Sequence, residues 1–195
     1  MSNTIIEDGT GKGFLCKVDN TNKLEVHSIG LSERGEAVQL GRGFEIGAFP
    51  IDFTGTTETA MIYVKNNEAS PLVIDAWEFS GAESTGGTSD VCLLKLYQGS
   101  TGLTNSTPGG AVNGLFGSSR ALSADIETGN GSTSAVTGGT LFGASYMPYL
   151  GRPFPFSGPW VLQRGKSIAL TVTPPASNTS MLFGVRILCH LQRDD

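Results

Sequence analysis

The sequence predicts an all-β protein, an antiparallel two-sheet β-sandwich of jelly-roll type with long Gly/Ser/Thr-rich loops. Short segments of the 195-residue chain alternate apolar and polar residues with the period of two that strands require. The chain also holds 27 Gly and 9 Pro, which interrupt regular structure often and disfavour long helices. A parallel sheet would need strand patterns that alternate with helical ones, and the sequence lacks this alternation. The sequence also lacks the fixed repeat period of a β-helix.

The first predicted element is a hairpin of residues 14–19 and 23–29. The turn between its strands is Asp19-Asn20-Thr21-Asn22, whose side chains bond to their own backbone and tolerate left-handed conformations. Two short strands follow, residues 44–47 and 49–54, and Pro50 breaks the second because proline cannot donate to a ladder.

The central part of the chain predicts three further strands. Residues 59–66 and 72–79 are separated by the turn-forming residues 67–71. Residues 91–98 are nearly continuously apolar, which predicts a strand covered on both faces.

Residues 99–143 are rich in Gly, Ser, Thr and Asn and predict long surface loops. Within them, residues 120–127 fit a short strand or a single helical turn equally well. A strand is expected again over residues 140–147.

A second predicted hairpin joins residues 160–163 to residues 167–173 through Arg164-Gly165-Lys166. Gly165-Lys166-Ser167 resembles the end of a phosphate-binding loop, but that motif needs a glycine at position 160, where the chain has Trp160. It also needs a following helix, whereas the residues after Ser167 alternate as in a strand. The turn interpretation is therefore favoured.

The last strand is the clearest, because six apolar residues recur at every second position. They are Met181, Phe183, Val185, Ile187, Cys189 and Leu191. At about 1.5–3 kcal/mol for each fully buried large side chain, this face is expected to contribute strongly to the core. Arg186, His190 and Gln192 occupy the opposite face.

The composition limits the classes of partner. Net charge is −5 and only 16% of residues are charged, with the basic ones scattered, so we expect no nucleic-acid binding. No apolar run approaches the length of a membrane helix and no signal peptide is visible, so we expect no membrane association and synthesis in the cytoplasm. We predict a flexible N-terminal arm over residues 1–13 and a single β-sandwich domain over residues 14–195.

Residues suited to catalysis are few. The two histidines, His27 and His190, lack the His-x-His pair and further ligands that metal-binding jelly rolls supply, and an exposed or locally hydrogen-bonded histidine is the simpler interpretation. Cys16, Cys92 and Cys189 lie in apolar strand patterns and predict buried free thiols. We predict no catalytic residue, no cofactor and no metal, hence no enzyme.

Two stretches resemble a group of tailed-bacteriophage virion proteins. They are residues 14–47, FLCKVDNTNKLEVHSIGLSERGEAVQLGRGFEIG, and residues 60–79, AMIYVKNNEASPLVIDAWEF. The shared features are an N-terminal hairpin ending in a Lys-Leu-Glu-Val-like strand, a small-residue and Gly-aromatic segment, and a Tyr-Val-Lys-Asn-Asn strand answered by an apolar partner. The similarity covers about the first 80 residues and carries no catalytic residues.

This resemblance implies a capsid decoration protein, located on the virion surface and bound to the major capsid protein. Capsid symmetry favours a homotrimer. The candidate partner contacts are Ile5, Ile6, Tyr146, Tyr149 and Trp160. Ile5 and Ile6 belong to an arm that either adds a strand to a neighbour or is an ordinary frayed terminus. The three aromatic residues, with the 99–143 loops, also suit an alternative role as a tail or fibre module that binds a receptor or glycan.

Overall fold

The computed structural model describes residues 5–7, 13–15, 32–53, 56–83, 91–148, 159–175 and 181–192. The chain divides into two compact units, Met1–Ser32 and Glu33–Asp195. In the first unit, β1 (Ile5–Glu7) pairs antiparallel with β2 (Gly13–Leu15). The rest of the predicted N-terminal hairpin lies outside the described residues, and the division into an arm and one domain stays a prediction.

The second unit begins with a short helix and then consists mainly of strands. In chain order these are α1 (Glu33–Gln39), β3 (Gly43–Phe53), β4 (Thr59–Asn66), β5 (Leu72–Glu83), β6 (Val91–Thr104), β7 (Ser106–Pro108), β8 (Ala111–Asn113), β9 (Ala124–Gly129), a 3-10 turn (Gly131–Thr133), β10 (Ala135–Pro148), β11 (Trp160–Leu162), β12 (Ser167–Thr173) and β13 (Met181–Leu191).

The strands form two antiparallel sheets that enclose one hydrophobic core, which confirms the predicted all-β sandwich. The six-stranded sheet has the order β10-β6-β12-β4-β9-β7, and the five-stranded sheet has the order β11-β5-β13-β3-β8. The last two strands of the chain are therefore inner strands, since β12 lies between β6 and β4 while β13 lies between β5 and β3.

The core is built from the inward faces of both sheets. All six apolar residues predicted for one face of β13 are fully buried, so that prediction is confirmed. They pack in one cluster with residues of the opposite sheet such as Leu94, Leu96 and Leu170. Alternation along the strands thus places the large apolar side chains between the layers.

The predicted break at Pro50 is wrong, because β3 continues without interruption from Gly43 to Phe53. The register against β13 shifts here: Ala48 is opposite Val185 and Ile51 is opposite Phe183. This register shift is a β-bulge. Sheets tolerate proline at bulges, because a residue there can lack the N–H that a regular ladder position requires.

The prediction that residues 91–98 are covered on both faces is also wrong. Cys92, Leu94 and Leu96 are buried, whereas Leu93 and Lys95 between them are only half-buried. In an antiparallel sandwich one face of each sheet faces away from the core, so an apolar residue such as Leu93 can occupy the outer face.

Residues 99–143 contain more strand and less loop than predicted. β6 extends to Thr104, β7, β8 and β9 lie within this segment, and β10 begins at Ala135. Of the two alternatives for residues 120–127, the strand is correct, as β9 pairs with β4 from Ala124 to Thr128. Thr and Ser suit strands at solvent-facing positions, which composition alone does not distinguish from loops.

The turn predicted at residues 164–166 is present, but the two strands beside it do not form a hairpin. β11 pairs with β5 in one sheet and β12 pairs with β4 and β6 in the other, so the turn crosses between layers. Gly165 adopts a φ of 75°, and its N–H donates to the Asn66 carbonyl. The fully buried Asn66 amide donates in turn to the Leu162 carbonyl at 2.9 Å, which fixes the crossing.

The helix α1 packs on the outer side of the five-stranded sheet, against β3 and β13. Its approach depends on Gly43, because a Cβ at that position would lie 2.3 Å from Val38 Cγ2. α1 has only seven residues, in line with the expectation that long helices are absent.

Candidate interaction surface

The candidate surface lies where the edge strands of both sheets run along one side of the sandwich. β10 ends the six-stranded sheet and β11 ends the five-stranded sheet. Large apolar side chains on these strands are strongly exposed, with exposed fractions of 50% for Leu141, 51% for Phe142, 69% for Tyr146 and 48% for Val161. We name Leu141, Phe142, Tyr146, Trp160 and Val161 the edge surface.

An aromatic contact links the two edge strands. The rings of Phe142 on β10 and Trp160 on β11 have centroids 5.7 Å apart at an angle of 84°, an edge-to-face arrangement. The register of β10 against β6 shifts between Leu141 and Gly143, so Phe142 is the extra residue of a bulge. The bulge takes Phe142 out of the strict alternation, and its ring meets the opposite sheet.

Trp160 is held from its other side by Trp77. Their ring centroids are 6.0 Å apart and tilted by 56°, and Trp77 is buried in the core. The two indoles are therefore not a flat, open platform of the kind that stacks on a sugar. Trp160 is half-buried and fixed in place, as a rigid contact residue should be.

A groove of about 280 Å³ lies beside this aromatic contact. Phe142, Trp160 and Val161 provide apolar walls, while Gln98 and Ser167 supply polar groups. Ser167 is buried, and its hydroxyl donates to the Ser100 carbonyl at 2.7 Å. Gln98, in contrast, has an exposed side chain.

The structure places the predicted contact residues in different locations. Tyr146 lies on β10 and Trp160 on β11, so both belong to the edge surface. Ile5 and Ile6 lie in β1 within the unit Met1–Ser32, and Tyr149 lies outside the described residues.

Sequence reasoning missed Leu141, Phe142 and Val161. The strand that contains the first two was predicted over residues 140–147, but its position at the edge of a sheet was not. An edge is defined by which strands lie beside it, and the local pattern of one strand carries no such information. The adjacent apolar pair Leu141-Phe142 was the available signal, because strict alternation would bury only one of them.

A second polar cluster surrounds His190 beneath α1. His190 is buried, and its Nδ1 lies 2.9 Å from Asp75 Oδ2, while its Nε2 lies 3.6 Å from Glu33 Oε1. Arg34 Nε lies 3.6 Å from the same Asp75 oxygen. The hydrogen-bonded form of the prediction for His190 therefore holds and the exposed form is wrong, because α1 covers this end of the sheet.

A metal site at His190 would need further ligands, and the candidates in the sequence are Cys189, His27 and Glu25. Cys189 points into the core, where its thiol lies 3.6 Å from the Phe44 carbonyl, whereas His190 lies on the outer face. His27 and Glu25 lie outside the described residues. Among the residues that the structure describes, no group of three or more His, Cys, Asp or Glu side chains is placed to hold a metal ion.

A third cluster lies on the outer face of the six-stranded sheet. The Glu58 carboxylate accepts hydrogen bonds from Tyr97 at 2.7 Å and Thr171 at 2.8 Å, and it pairs with Lys95. Burial raises the pKa of the Glu58 carboxyl, but the hydrogen bonds from Lys95, Tyr97 and Thr171 outweigh burial and lower the pKa overall. The Glu58 carboxylate thus has three partners and connects the segment before β4 to β6 and to β12.

The described cysteines are buried free thiols, as predicted for Cys92 and Cys189, while Cys16 lies outside the described residues. Burial raises the pKa of the Cys92 thiol to about 11. Burial, followed by the nearby Asp75 carboxylate, raises the pKa of the Cys189 thiol to about 12. Both thiols therefore stay protonated near neutral pH and are poor nucleophiles.

Comparison of the chain with protein-family models, with curated proteins and with solved structures returned no match. In the described part of the chain, no helix has the length and apolar character needed to cross a membrane.

Proposed function

We propose that this protein is a non-enzymatic structural protein of a tailed-phage virion that decorates the capsid and stabilises it by binding the outer surface. The observation that carries the proposal is the edge surface, where apolar and aromatic side chains are exposed along one side of the sandwich. Exposed apolar patches of this kind characterise sites of contact with other proteins. The resemblance of residues 14–47 and 60–79 to virion proteins points to the same class.

The proposed body is a jelly roll. Two observations support this: successive strands lie in opposite sheets at most connections, and the sheets contain the orders β3-β13-β5-β11 and β4-β12-β6-β10, as expected for two interleaved Greek keys. β7, β8 and β9 extend this arrangement on the side of β3 and β4. The Tyr-Val-Lys-Asn-Asn strand and its apolar partner, β4 and β5, lie in different sheets and do not pair with each other.

The proposed partner is the major capsid protein. Bound copies add interface area between capsid subunits and so stabilise the lattice by mass action, since they bind the assembled shell and not its separated parts. The homotrimer favoured by capsid symmetry, the location on the virion surface and the strand-adding role of Ile5 and Ile6 belong to the same proposal.

Co-sedimentation of the purified protein with phage capsids that lack it tests the proposal. We expect saturable binding and a rise in the temperature at which the capsids open. A Leu141→Ser/Val161→Ser variant should bind more weakly, because both side chains are exposed parts of the edge surface. Phe116→Ser is the matched control, since Phe116 is 97% exposed and lies in the segment between β8 and β9. Copies found only at the tail tip, or absent from the particle, would contradict the proposal.

The alternative role is a tail or fibre module that binds a glycan or receptor. The groove beside Trp160 supports it, because its apolar walls and the exposed amide of Gln98 form the mixed lining that small-ligand sites have, even without a flat platform for stacking. A glycan array with the purified protein separates the two roles. Selective binding that is lost in a Gln98→Ala variant favours the alternative, whereas a decoration protein should bind no glycan selectively.

A further inference from the structure

The four edges of the two sheets differ greatly in length. β10 has 14 residues, while the other edge strands β7, β8 and β11 have three residues each. β10 pairs with β6 on one side, and no strand among the described residues pairs with its other side. Within the described part of the chain, the backbone N–H and C=O groups on this side of β10 therefore have no strand partner.

The edges opposite β10 carry the devices that prevent strand addition. β7 and β8 are short, β7 ends at Pro108, and the neighbouring β9 carries Asp125 and Glu127. β10 carries none of these protections along most of its length. Its sequence, AVTGGTLFGASYMP, contains no charged residue, and its single proline is the last residue. Apart from its two bulges and its final proline, β10 therefore carries fewer of the devices that prevent pairing than the β7 side of the sheet does.

Two bulges limit which part of β10 can pair. The register against β6 shifts between Thr137 and Gly138 and again between Leu141 and Gly143. Residues 143–148 pair with β6 without a shift, from Leu96 back to Val91. This run is regular, and within it the side chains of Ala144 and Tyr146 are exposed, Tyr146 by 69%.

We propose that a second copy of this chain adds its β10 to β10 of the first copy, antiparallel and about a two-fold axis near Ser145. An incoming strand must be extended, must match the length of the open edge and must place no charge beside uncharged side chains. Among the edge strands of the two large sheets, β10 alone meets these conditions, since the other three have three residues each. An isologous contact of this kind closes on itself and joins two six-stranded sheets into one.

The pairing brings together particular side chains. Residues opposite each other in a ladder lie on the same face of the sheet. Ala144 is paired with Lys95 and Tyr146 with Leu93, so both point away from the core. With the axis near Ser145, Tyr146 of one copy lies directly opposite Ala144 of the other. The two Tyr146 side chains are then diagonal neighbours across the axis.

Charge substitution at Tyr146 tests the contact in the full-length chain. We expect the unmodified protein to have twice its chain mass of 20.4 kDa by analytical ultracentrifugation. Tyr146→Lys and Tyr146→Glu should each raise the dimer dissociation constant about tenfold or more, because each places like charges beside one another at the axis. An equimolar mixture of the two variants should dimerise again, since opposite charges then meet.

Val112→Lys is the matched control, because Val112 is 70% exposed on the edge strand β8. It should leave the dimer unchanged. Recovery in the mixture excludes misfolding as the reason for dissociation of the single variants.

A single-chain mass at every concentration, the three-chain mass of a trimer, or a Tyr146→Lys protein that remains dimeric would overturn the inference. The contact does not depend on the capsid role. A two-chain mass would contradict the homotrimer named in the proposed function, whereas a three-chain mass would contradict the two-fold contact. A dimer that binds no capsid would overturn the capsid role and leave the two-fold contact in place.

Discussion

Replacing Phe183 by alanine tests the account of the core. Phe183 lies on β13, the inner strand of the five-stranded sheet, and is 1% exposed. Its ring centroid is 5.3 Å from that of Phe53 on β3, in an edge-to-face arrangement, and 5.2 Å from that of Phe79 on β5. One side chain thus connects three neighbouring strands through aromatic contacts.

The expected cost is large because the ring is fully buried and the surrounding side chains relax only partly into the space that it leaves. Phe→Ala substitutions in cores reduce the free energy of unfolding by about 3–5 kcal/mol, which includes the cavity left behind. Since the total free energy of unfolding of a protein is about 5–15 kcal/mol, this loss is a substantial fraction of it. At about 2–4 °C per kcal/mol for a chain of this size, the melting temperature should fall by about 6–20 °C.

Urea denaturation followed by tryptophan fluorescence measures the effect. The chain has two tryptophans, Trp77 and Trp160, and both lie in the unit Glu33–Asp195, so the signal reports on the sandwich. Phe116→Ala is the control with the same chemistry, because Phe116 is 97% exposed and its loss should change stability by less than about 0.5 kcal/mol. Similar losses in the two variants, or a loss below about 1 kcal/mol for Phe183→Ala, would refute this packing of the three rings.

Three further predictions concern particular contacts. The pKa of Glu58 is lowered from 4.5 on folding, so its contribution to stability is present at neutral pH and is lost as pH falls through the lowered value. Glu58→Gln should therefore flatten the acid side of a plot of urea midpoint against pH, and an unchanged slope would contradict this. Gly129→Ala should reduce the free energy of unfolding by about 3 kcal/mol or more, because the new Cβ would lie 1.9 Å from the Ala60 carbonyl oxygen. Gly110→Ala is the control: Gly110 has open space around it, so this variant should unfold at the same urea concentration as the parent. In a Cys16→Ser background, the remaining thiols, including Cys189, should react with a thiol reagent at pH 8 only after denaturant is added; rapid labelling of the native protein would show that they are accessible.

The elements that the sequence predicted best are those with strict alternation. β13 places six apolar residues on one face, and no other secondary structure buries residues at that period. The same reasoning failed for residues 91–98, because a run of apolar residues at consecutive positions leaves open whether both faces or only one face is covered. Burial of the second face depends on what packs against the sheet, which is a property of the whole fold.

The candidate site was predictable only in part. Tyr146 and Trp160 were recognised as aromatic residues suited to contacts, but their common location depends on two strands that end different sheets. The sequence offered a hydrogen-bonded His190 as one alternative but could not identify its partner, because Asp75 lies 115 positions away in the chain and α1, which covers the histidine, was not predicted. Pairing between distant segments decides both features.

The position of β12 and β13 has a consequence for how the protein is made. These strands come last in the chain, yet each lies in the interior of its sheet and separates strands that were synthesised much earlier. Until residues 167–191 have been synthesised, β4 and β6 lack the strand that joins them, and so do β3 and β5. A chain terminated before residue 167 lacks an inner strand of each sheet, so neither sheet can be completed in it.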